Sequence, residues 1–527
     1  MLKLPFIFVA VVAEHVLNLA IHASSTMRGL FVAAYRSMYW LLAIASTHAF
    51  LKPTATPRRT ALRAAKEVDT SRWEYYAKHP MARGAKLGAG ACRVFYAEWR
   101  ARRHAKKSRD AKADAVRSKA AARVADLLIA LGPTYVKLGQ IASCRKELEK
   151  TPWAAALQRL QDDVPGFDGG GAEIARCLGP RYAAHFASVD DRPVAAASLG
   201  QVHLGVLRNG TRVAVKVQRP ALREIYDRDV TLLRKMFAFL DRRKWKVGVE
   251  QKWLDIFDDA AALLYREIDY RVEASHCERF RSDFSGVPWV AAPAVYPELS
   301  GETVLTMEYL PGVSLKDLDA IAADPELDAR SLATRLGQAY FLQFCKHRFF
   351  NTDPHAGNLA ADGGFAPGGR LIFYDFGQAA ALSADEAAGA LGLLEGIIDA
   401  DAAKTVDAFE RMGVVKNGFD RAAVEATIAS NFRSGLVTSR AQRAVAAGEP
   451  GDDAGDGAPA VLGDFQLPAT LAFASRAMSQ MQGVGLALDS EFEFIAASAP
   501  LVAELAIEEK GVATYLQDEL KKKLKLG

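Results

Sequence analysis

Cysteine is scarce in this chain, and the few cysteines that occur lie far apart. The 527 residues include five cysteines, and no two of them form a Cys-x-x-Cys pair. A structural zinc site or a disulfide framework needs closely spaced or numerous cysteines, so the sequence argues against both. We expect reduced, mostly buried thiols. The cysteines are Cys92, Cys144, Cys177, Cys277 and Cys345.

Long apolar runs are also missing. The two most apolar stretches near the start, residues 4–13 and 38–50, are shorter than the roughly 18 residues that a membrane-spanning helix needs. The acid-free stretch LKPTATPRRTALRAAK follows the second run. An apolar core, small residues and then a basic hydroxyl-rich segment are typical of a signal followed by a transit peptide. Residues 1–57 are therefore predicted to be a targeting leader, with one or two membrane anchors as the alternative.

This leader resembles the bipartite plastid-targeting leaders of algae with complex plastids, which are often cut before a phenylalanine such as Phe50. The resemblance implies a chloroplast or plastid location, at a plastoglobule or another membrane surface, with the mitochondrion as the alternative. It also implies that Met38 is the true start and that residues 1–37 are an artefact of the gene model.

The basic segment that follows the leader has no aromatic residue in its most basic part, residues 101–123. Residues 58–123 hold 19 Lys or Arg against 6 Asp or Glu. A nucleic-acid partner is not expected, because single-stranded nucleic acids are usually bound by aromatic side chains that stack on the bases. Two interpretations of residues 58–120 stay open, a solvated helix face and a contact with an anionic lipid or membrane surface.

Periodicity divides the rest of the chain into helices and strands. Residues 121–187 and 221–285 have helical spacing. The runs SLGQVHLGVL and VAVKVQ flank Asn209-Gly210, which predicts a β-hairpin. VLTMEY and LIFYDFG are β runs within a mainly helical second half. Residues 446–460 form a low-complexity loop that is predicted to be disordered.

Two charged clusters lie in the hairpin and in the helical segment after it. Lys216 alternates with the valines of VAVKVQ, and a buried ammonium needs an anionic partner because leaving it unpaired is costly. YREIDYRVEA offers Glu267, Asp269 and Glu273, and on one helix Asp269 and Glu273 would share a face. The plain alternatives are an edge-strand lysine and a solvated acidic helix face.

Two further clusters lie in the second half. Asp353 and Asn358 are five residues apart in NTDPHAGNL, which suits catalytic positioning and metal coordination. Asp375 ends the β run LIFYDFG, where it could bind Mg²⁺, which takes a few carboxylate oxygens and substrate phosphates. His355, a lone loop histidine, is not expected to be a ligand or a base. The order of strand lysine, helical glutamate, D-x4-N loop and D-F-G is that of a protein-kinase-like fold.

From about residue 120 to 400 the sequence resembles the UbiB family, the aarF-domain-containing atypical kinases. The segments that match the family's motifs are YVKLGQ, LQDDVP, AAASLGQVH, VAVKVQRP, EIDYRVEA, LTMEYLPG, DPHAGNL and YDFG. The chain departs from the family at Ala356, where proline is usual, and at His276, where asparagine is common. A long C-terminal membrane helix like that of some bacterial members is not expected from this sequence.

The resemblance implies an α+β, protein-kinase-like fold with two lobes, a helical KxGQ extension over the active site and a helical C-terminal region. The implied divisions are the leader (1–57), the basic helical segment (58–120), the KxGQ extension (121–190), an N-lobe with the alanine-rich loop and the acidic helix (191–310), a C-lobe with the catalytic loop and DFG (311–400), and the C-terminal helical region (401–527).

The resemblance also implies a role for each matching residue. Lys216 would contact the α and β phosphates and pair with Glu273, while Asp353 would be the catalytic aspartate. The residues that would hold Mg²⁺ are Asn358 and Asp375. The residues of the extension and of the acidic motif that would have regulatory roles are Lys137, which also counts as catalytic, Gln140, Glu267 and Asp269. The residues that would meet the nucleotide are Ala195, Ala196, Ala197, Ser198, Leu199, Gly200, Gln201, Val202, Met307, Glu308 and Leu310.

The implied function is that of an atypical kinase or ATPase that binds ATP or ADP with Mg²⁺ and supports prenylquinone (ubiquinone, plastoquinone or tocopherol) metabolism. The expected partners are a nucleotide, a lipid or membrane surface, and quinone-biosynthesis proteins. The alternatives are a nucleotide-sensing, lipid-binding module with little catalysis, a small-molecule phosphotransferase and a protein kinase. The KxGQ helix argues against an open acceptor cleft, and the missing H-R-D and A-P-E motifs argue against a peptide substrate.

Overall fold

The computed structural model describes residues 110–143, 166–196, 199–242, 253–365, 367–433 and 468–510, and also residues 79, 82–83, 86, 89–90, 96–97, 100, 156–157, 160 and 465. The predicted leader, the loop 446–460, and Ala197 and Ser198 lie outside the described residues. The chain divides into two compact units. Unit 1 falls within Met1–Gly205 and Val215–Ile268, and unit 2 falls within Val206–Ala214 and Asp269–Gly527.

Unit 1 combines helices with a small set of strands. The helices are α1 (Asp110–Leu131), α2 (Pro133–Ser143), α3 (Gly170–Leu178), α4 (Pro180–His185), α5 (Leu222–Arg242) and α6 (Trp253–Glu267). The strands are β1 (Phe186–Val189), β2 (Ala195–Ala196), β3 (Gly200–Leu207) and β4 (Arg212–Gln218), of which β3 and β4 extend into unit 2. Both β1 and β2 pair with β3, and β3 pairs with β4.

The predicted hairpin is confirmed, and its turn explains the Asn-Gly pair. Gly210 has a φ of 85°, in the left-handed region that glycine enters without steric cost. The Asn209 side chain accepts a hydrogen bond from the Thr211 backbone at 3.0 Å. The prediction of helix up to residue 187 is wrong at its end, where β1 begins at Phe186.

Apolar residues from α2, α5 and α6 build the core of unit 1. Tyr226 and Leu264 are buried there with residues of α2 such as Tyr135 and Leu138. The Arg83 guanidinium pairs with Asp229 of α5 and lies over the Tyr135 ring at 5.1 Å. Both charged side chains are almost fully buried, so each needs the other to offset its loss of hydration.

Unit 2 is mainly helical. Its helices are α7 (Tyr270–Asp283), α8 (Leu318–Ala323), α9 (Ala329–Phe341), α10 (Ala384–Ile398), α11 (Ala402–Arg411), α12 (Arg421–Arg433), α13 (Ala469–Leu488) and α14 (Phe494–Lys510). Its strands are β5 (Val290–Ala291), β6 (Val304–Glu308), β7 (Val313–Ser314), β8 (Phe349–Asn351), β9 (Leu359–Asp362), β10 (Arg370–Phe373) and β11 (Ala379–Ala381). Across the described residues of the chain, no helix is both long and apolar enough to span a membrane.

The helical segment predicted over residues 221–285 is divided among three helices, α5, α6 and α7. Asp269 has an extended backbone and is the N-cap of α7, where its side chain accepts a hydrogen bond from the Arg271 backbone. The premise that Asp269 and Glu273 lie on one helix face was therefore wrong. A short acidic side chain at this position stabilises the start of the helix by satisfying an unpaired backbone N–H.

The sheet order of unit 2 brings two predicted site loops together. The strands run in the order β5-β10-β9-β7, and β8 pairs separately with β11. In the antiparallel pair of β9 and β10, Leu359 lies opposite Phe373. Just beyond this pair, the Tyr374 N–H donates to the Asn358 carbonyl at 3.1 Å. The residue before β9 and the residues after β10 therefore meet at the same sheet edge.

Candidate functional site

The Asn351 side chain joins the two loops that carry Asp353 and Asp375. Its amide nitrogen donates to the Asp375 carbonyl at 2.7 Å, and its amide oxygen accepts from the Asp353 N–H at 2.8 Å. A single amide suits this task, because it has both donors and an acceptor. The backbone positions of the two aspartates are thus fixed by one buried side chain.

Asn351 is itself held by the helical segment before it. Its N–H donates to Gln343 Oε1 at 2.9 Å, and its carbonyl accepts from the Tyr340 hydroxyl at 3.1 Å. Gln343 lies in a π-helical turn, Leu342–Lys346, that follows α9, and such turns often occur at functional sites. Burial raises the pKa of the Tyr340 phenol well above its usual value, so this hydroxyl remains a donor.

Asp375 and Glu273 both lie close to Gly377. The Gly377 N–H donates to Asp375 Oδ1 at 2.8 Å. A Cβ at Gly377 would lie 3.2 Å from Asp375 Oδ1 and 3.7 Å from Glu273 Oε2, so glycine lets both carboxylates approach. The negative potential of this corner acts on Cys277, where burial first and then the Glu273 carboxylate raise the pKa of the thiol.

The donor set at this edge fits Mg²⁺. Asp375 offers a carboxylate and Asn358 an amide oxygen, and their loops meet where Tyr374 bonds to Asn358. Within the described part of the chain, no group of three or more His, Cys, Asp or Glu side chains could hold a metal. Mg²⁺ does not need one, since it keeps several waters and commonly takes one or two protein oxygens together with substrate phosphates.

Asp353 has two partners that the sequence did not predict. Its Oδ1 atom accepts from an Arg476 guanidinium nitrogen at 3.1 Å and from Gln480 Nε2 at 3.0 Å. Arg476 and Gln480 are four residues apart on α13 and therefore share a face of that helix. Both bonds go to the same carboxylate oxygen, Oδ1.

Three residues predicted to meet the nucleotide, Met307, Glu308 and Leu310, lie at the end of β6 or just after it. Met307 is buried against Tyr270 and Leu305. The Glu308 N–H donates to the Ala294 carbonyl at 2.8 Å, and the Leu310 carbonyl accepts from the Tyr374 hydroxyl at 2.8 Å. The contact of these residues with a nucleotide stays a prediction.

In unit 1, each residue of the KxGQ motif has a distinct task. Lys137 Nζ lies 3.0 Å from Glu267 Oε2, and both side chains are largely buried. Gly139 packs so closely against Leu160 that a side chain there would collide with it. Gln140 Nε2 donates to the Leu160 carbonyl at 2.7 Å. The structure thus brings the extension and the first acid of the acidic motif together.

The alanine-rich segment begins as a strand. Ala195 lies opposite Val202, and Ala196 opposite Gln201, in the antiparallel pair of β2 and β3. Ala195 and Ala196 are exposed. Gln201 is buried, and its side chain is bonded to Phe167, so a nucleotide contact there would have to use its backbone.

The predicted site residues are divided between the two units. Unit 2 gathers Glu273, Asp353, Asn358 and Asp375, whereas Lys216 lies on β4 in unit 1. The pairing of Lys216 with Glu273 therefore stays a prediction.

His276, the residue that departs from the family pattern, has a contact of its own. One ring nitrogen, Nδ1, lies 3.0 Å from the Phe376 carbonyl, and the ring packs against Phe349 with 5.5 Å between centroids. The substitution therefore keeps a polar side chain beside the D-F-G turn.

Comparison with known proteins identifies the class. Residues 159–409 match the family described as the ABC1 atypical kinase-like domain. An uncharacterized protein of Synechocystis is 33% identical over 410 residues, which cover 75% of this chain and 69% of that protein. The chain therefore belongs to the ABC1 family of atypical kinases, which is the UbiB family predicted from the motifs. Its fold is α+β and kinase-like, with a helical C-terminal region.

Two plant relatives are longer than the region they share with this chain. The Arabidopsis thaliana protein ACTIVITY OF BC1 COMPLEX KINASE 7, chloroplastic, is 36% identical over 393 residues, which cover 74% of this chain and 55% of that protein. ACTIVITY OF BC1 COMPLEX KINASE 8, chloroplastic, is 34% identical over 420 residues, with 74% and 55% covered. The chain thus spans about half the length of these plant relatives.

A solved structure of Rv3197 with erythromycin from Mycobacterium tuberculosis is similar at a TM-score of 0.44 and 21% identity, covering 70% of this chain and 91% of that one. Nothing about the site of this chain follows from a likeness of that degree.

Replacing Asn351 with leucine should destabilise unit 2. The change removes a donor to the Asp375 carbonyl and an acceptor for the Asp353 N–H, and each unsatisfied buried group costs about 1–3 kcal/mol. Urea unfolding should show a clearly lower midpoint. The exposed Asn417→Leu is the matched control and should shift stability by no more than about 0.5 kcal/mol. Equal midpoints for the two variants would contradict the bridging role.

Proposed function

We propose that this protein binds Mg²⁺ with ATP or ADP and catalyses phosphoryl transfer or ATP hydrolysis. The observation that carries the proposal is that Asn351 joins the loops of Asp353 and Asp375 in unit 2, while Asn358 is bonded to Tyr374, the residue before Asp375. Phosphoryl transfer needs acids and amides that hold the metal, and a carboxylate that orients the nucleophile. Family membership supports the same chemistry.

The individual roles follow the protein-kinase pattern. Asp375 and Asn358 would hold Mg²⁺, which neutralises charge on the phosphates. Asp353 would orient the attacking hydroxyl or water through the oxygen that Arg476 and Gln480 do not use. Lys216 on β4 would contact the phosphates and pair with Glu273.

We also propose a plastid role in prenylquinone metabolism, at a lipid or membrane surface and with quinone-biosynthesis proteins as partners. The support is the basic, hydroxyl-rich leader, together with plant relatives named as chloroplastic. A short apolar run before a basic segment fits a targeting signal better than a membrane anchor.

A second candidate is a nucleotide-sensing, lipid-binding module with little catalysis. One observation favours it, namely that the Asp353 carboxylate is already paired with Arg476 at 3.1 Å. A carboxylate oxygen that already accepts a charge-assisted hydrogen bond from an arginine would have to give up that bond to accept one from a substrate. Under this candidate, nucleotide would bind and turnover would be negligible.

Asp375→Asn should abolish binding of Mg-ADP and Mg-ATP, because it removes the only carboxylate of the proposed metal pair. Isothermal titration calorimetry of the full chain measures both affinities. Asp385→Asn, at an exposed position of α10, is the control and should bind as the unsubstituted chain does. Unchanged affinity in Asp375→Asn would overturn the metal assignment.

Asp353→Asn should separate the two candidates. If the protein is an enzyme, this change should lower ATP turnover by about 10²-fold or more, the usual contribution of a positioned acid or base. Nucleotide affinity should stay the same, since Asp353 is not proposed to bind metal. Turnover that is equally low in the parent and the variant would favour the sensing module.

A fluorescent fusion that begins at Met38 should localise to the plastid, because residues 38–57 carry the apolar run and the start of the basic stretch. The matched control begins after the leader, at Arg58, and should remain in the cytosol. A cytosolic signal from the Met38 fusion would end the plastid proposal.

A further inference from the structure

The segment SLGQVH contains two buried polar residues that the proposed nucleotide chemistry does not use. Gln201 and His203 lie on β3 with side chains on the same face, since they are two residues apart on a strand. The Gln201 side chain is 1% exposed and that of His203 is 0% exposed. Buried polar groups of this kind need hydrogen-bond partners, and these two have them.

Gln201 holds both polar groups of one backbone residue. Its Oε1 accepts from the Phe167 N–H at 2.8 Å, and its Nε2 donates to the Phe167 carbonyl at 3.0 Å. The same nitrogen lies 2.9 Å from His203 Nε2. The amide therefore uses its acceptor and both of its donors.

His203 completes the set. Its Nδ1 lies 2.7 Å from the Asp190 carbonyl, and a carbonyl can only accept, so the ring proton is assigned to Nδ1. Nε2 is then the acceptor that the Gln201 amide requires. We call the set Phe167, Asp190, Gln201 and His203 the hairpin clamp.

The clamp lies between the alanine-rich strand and the loop that follows the LQDDVP motif. Ala196 is the cross-strand neighbour of Gln201, and a Cβ at Gly166 would lie 3.8 Å from the Ala196 Cβ and 2.8 Å from Gln201 Oε1. A Cβ at Gly170 would be far inside the contact distance of His203 Nε2 and Gln201 Nε2. Two glycines thus admit the clamp, and larger residues would displace it.

We propose that Gln201 and His203 are positioning residues that lock the alanine-rich hairpin to the loop that follows the LQDDVP motif, within the KxGQ extension. The lock fixes the path of the backbone at Val194 and along β2, where the Val194 N–H donates to the Val202 carbonyl at 2.8 Å. A second consequence, which rests on the proposed function, is that the lock sets how this segment meets nucleotide phosphates.

Two neighbouring glycines of α3 provide a matched pair of variants. Gly170→Ala places a methyl group against the clamp, whereas at Gly171 the nearest atom, Asp191 Oδ1, is at an ordinary 3.5 Å. Both positions lie in the first turn of α3, so alanine adds a similar helix propensity at each. Gln201→Glu is a second disruptive variant, because its carboxylate cannot donate to Phe167 or His203.

Hydrogen exchange of the nucleotide-free full chain tests the lock. In Gly170→Ala and Gln201→Glu, the amides of Phe167 and Val194 should exchange about tenfold faster or more, as expected for the loss of two or three hydrogen bonds. Gly171→Ala should exchange like the parent. Unchanged exchange in both disruptive variants would overturn the proposal.

Calorimetry with Mg-ADP and Mg-ATP tests the second consequence. The ratio of the two affinities should change by about threefold or more in Gly170→Ala, and Gly171→Ala should keep the parent ratio. A lower melting temperature with an unchanged ratio would mean that the clamp only stabilises the fold. The parent chain could bind neither nucleotide while its hydrogen exchange changes in the variants as expected. That result would contradict the proposed function but would still support the structural role of the hairpin clamp.

Discussion

The candidate site of unit 2 depends on one buried amide. The Asn351 side chain hydrogen-bonds the backbone of Asp375 and the backbone of Asp353. The backbone of Asn351 is itself hydrogen-bonded by Gln343 and Tyr340. A carboxylate that is to hold a metal must stay within a few tenths of an ångström of its working position. A shift of Asn351 would move both acids at once.

Three neutral amide side chains hydrogen-bond the backbone of distant segments and so fix their positions. Gln140 bonds the Leu160 carbonyl, Gln201 bonds both polar groups of Phe167, and Asn351 joins the two acidic loops. Each amide can donate and accept at once without the desolvation cost of burying a charge. These backbone positions are therefore fixed without charged side chains. Charged side chains form ion pairs instead, such as Lys137 with Glu267.

The sequence predicts those parts that rest on local signals. Asn209-Gly210 marks the hairpin because its turn needs a left-handed residue, and the order of lysine strand, D-x4-N loop and D-F-G predicts the kinase-like fold. Arg476 and Gln480 could not be found in this way, since they meet Asp353 across 123 and 127 residues of sequence. Asp269 was misjudged because periodicity alone does not distinguish a helix interior from an N-cap. The clamp was missed because only the fold brings Phe167 to β3.

The most direct measurement is a crystal structure of the full chain with ADP and Mg²⁺. We expect a magnesium ion about 2.1 Å from an Asp375 carboxylate oxygen and from the Asn358 amide oxygen, with ADP phosphate oxygens and waters completing its shell. Asn351 should still bond both acidic loops. ADP bound elsewhere, or a metal that contacts neither Asp375 nor Asn358, would contradict the proposed nucleotide and metal site.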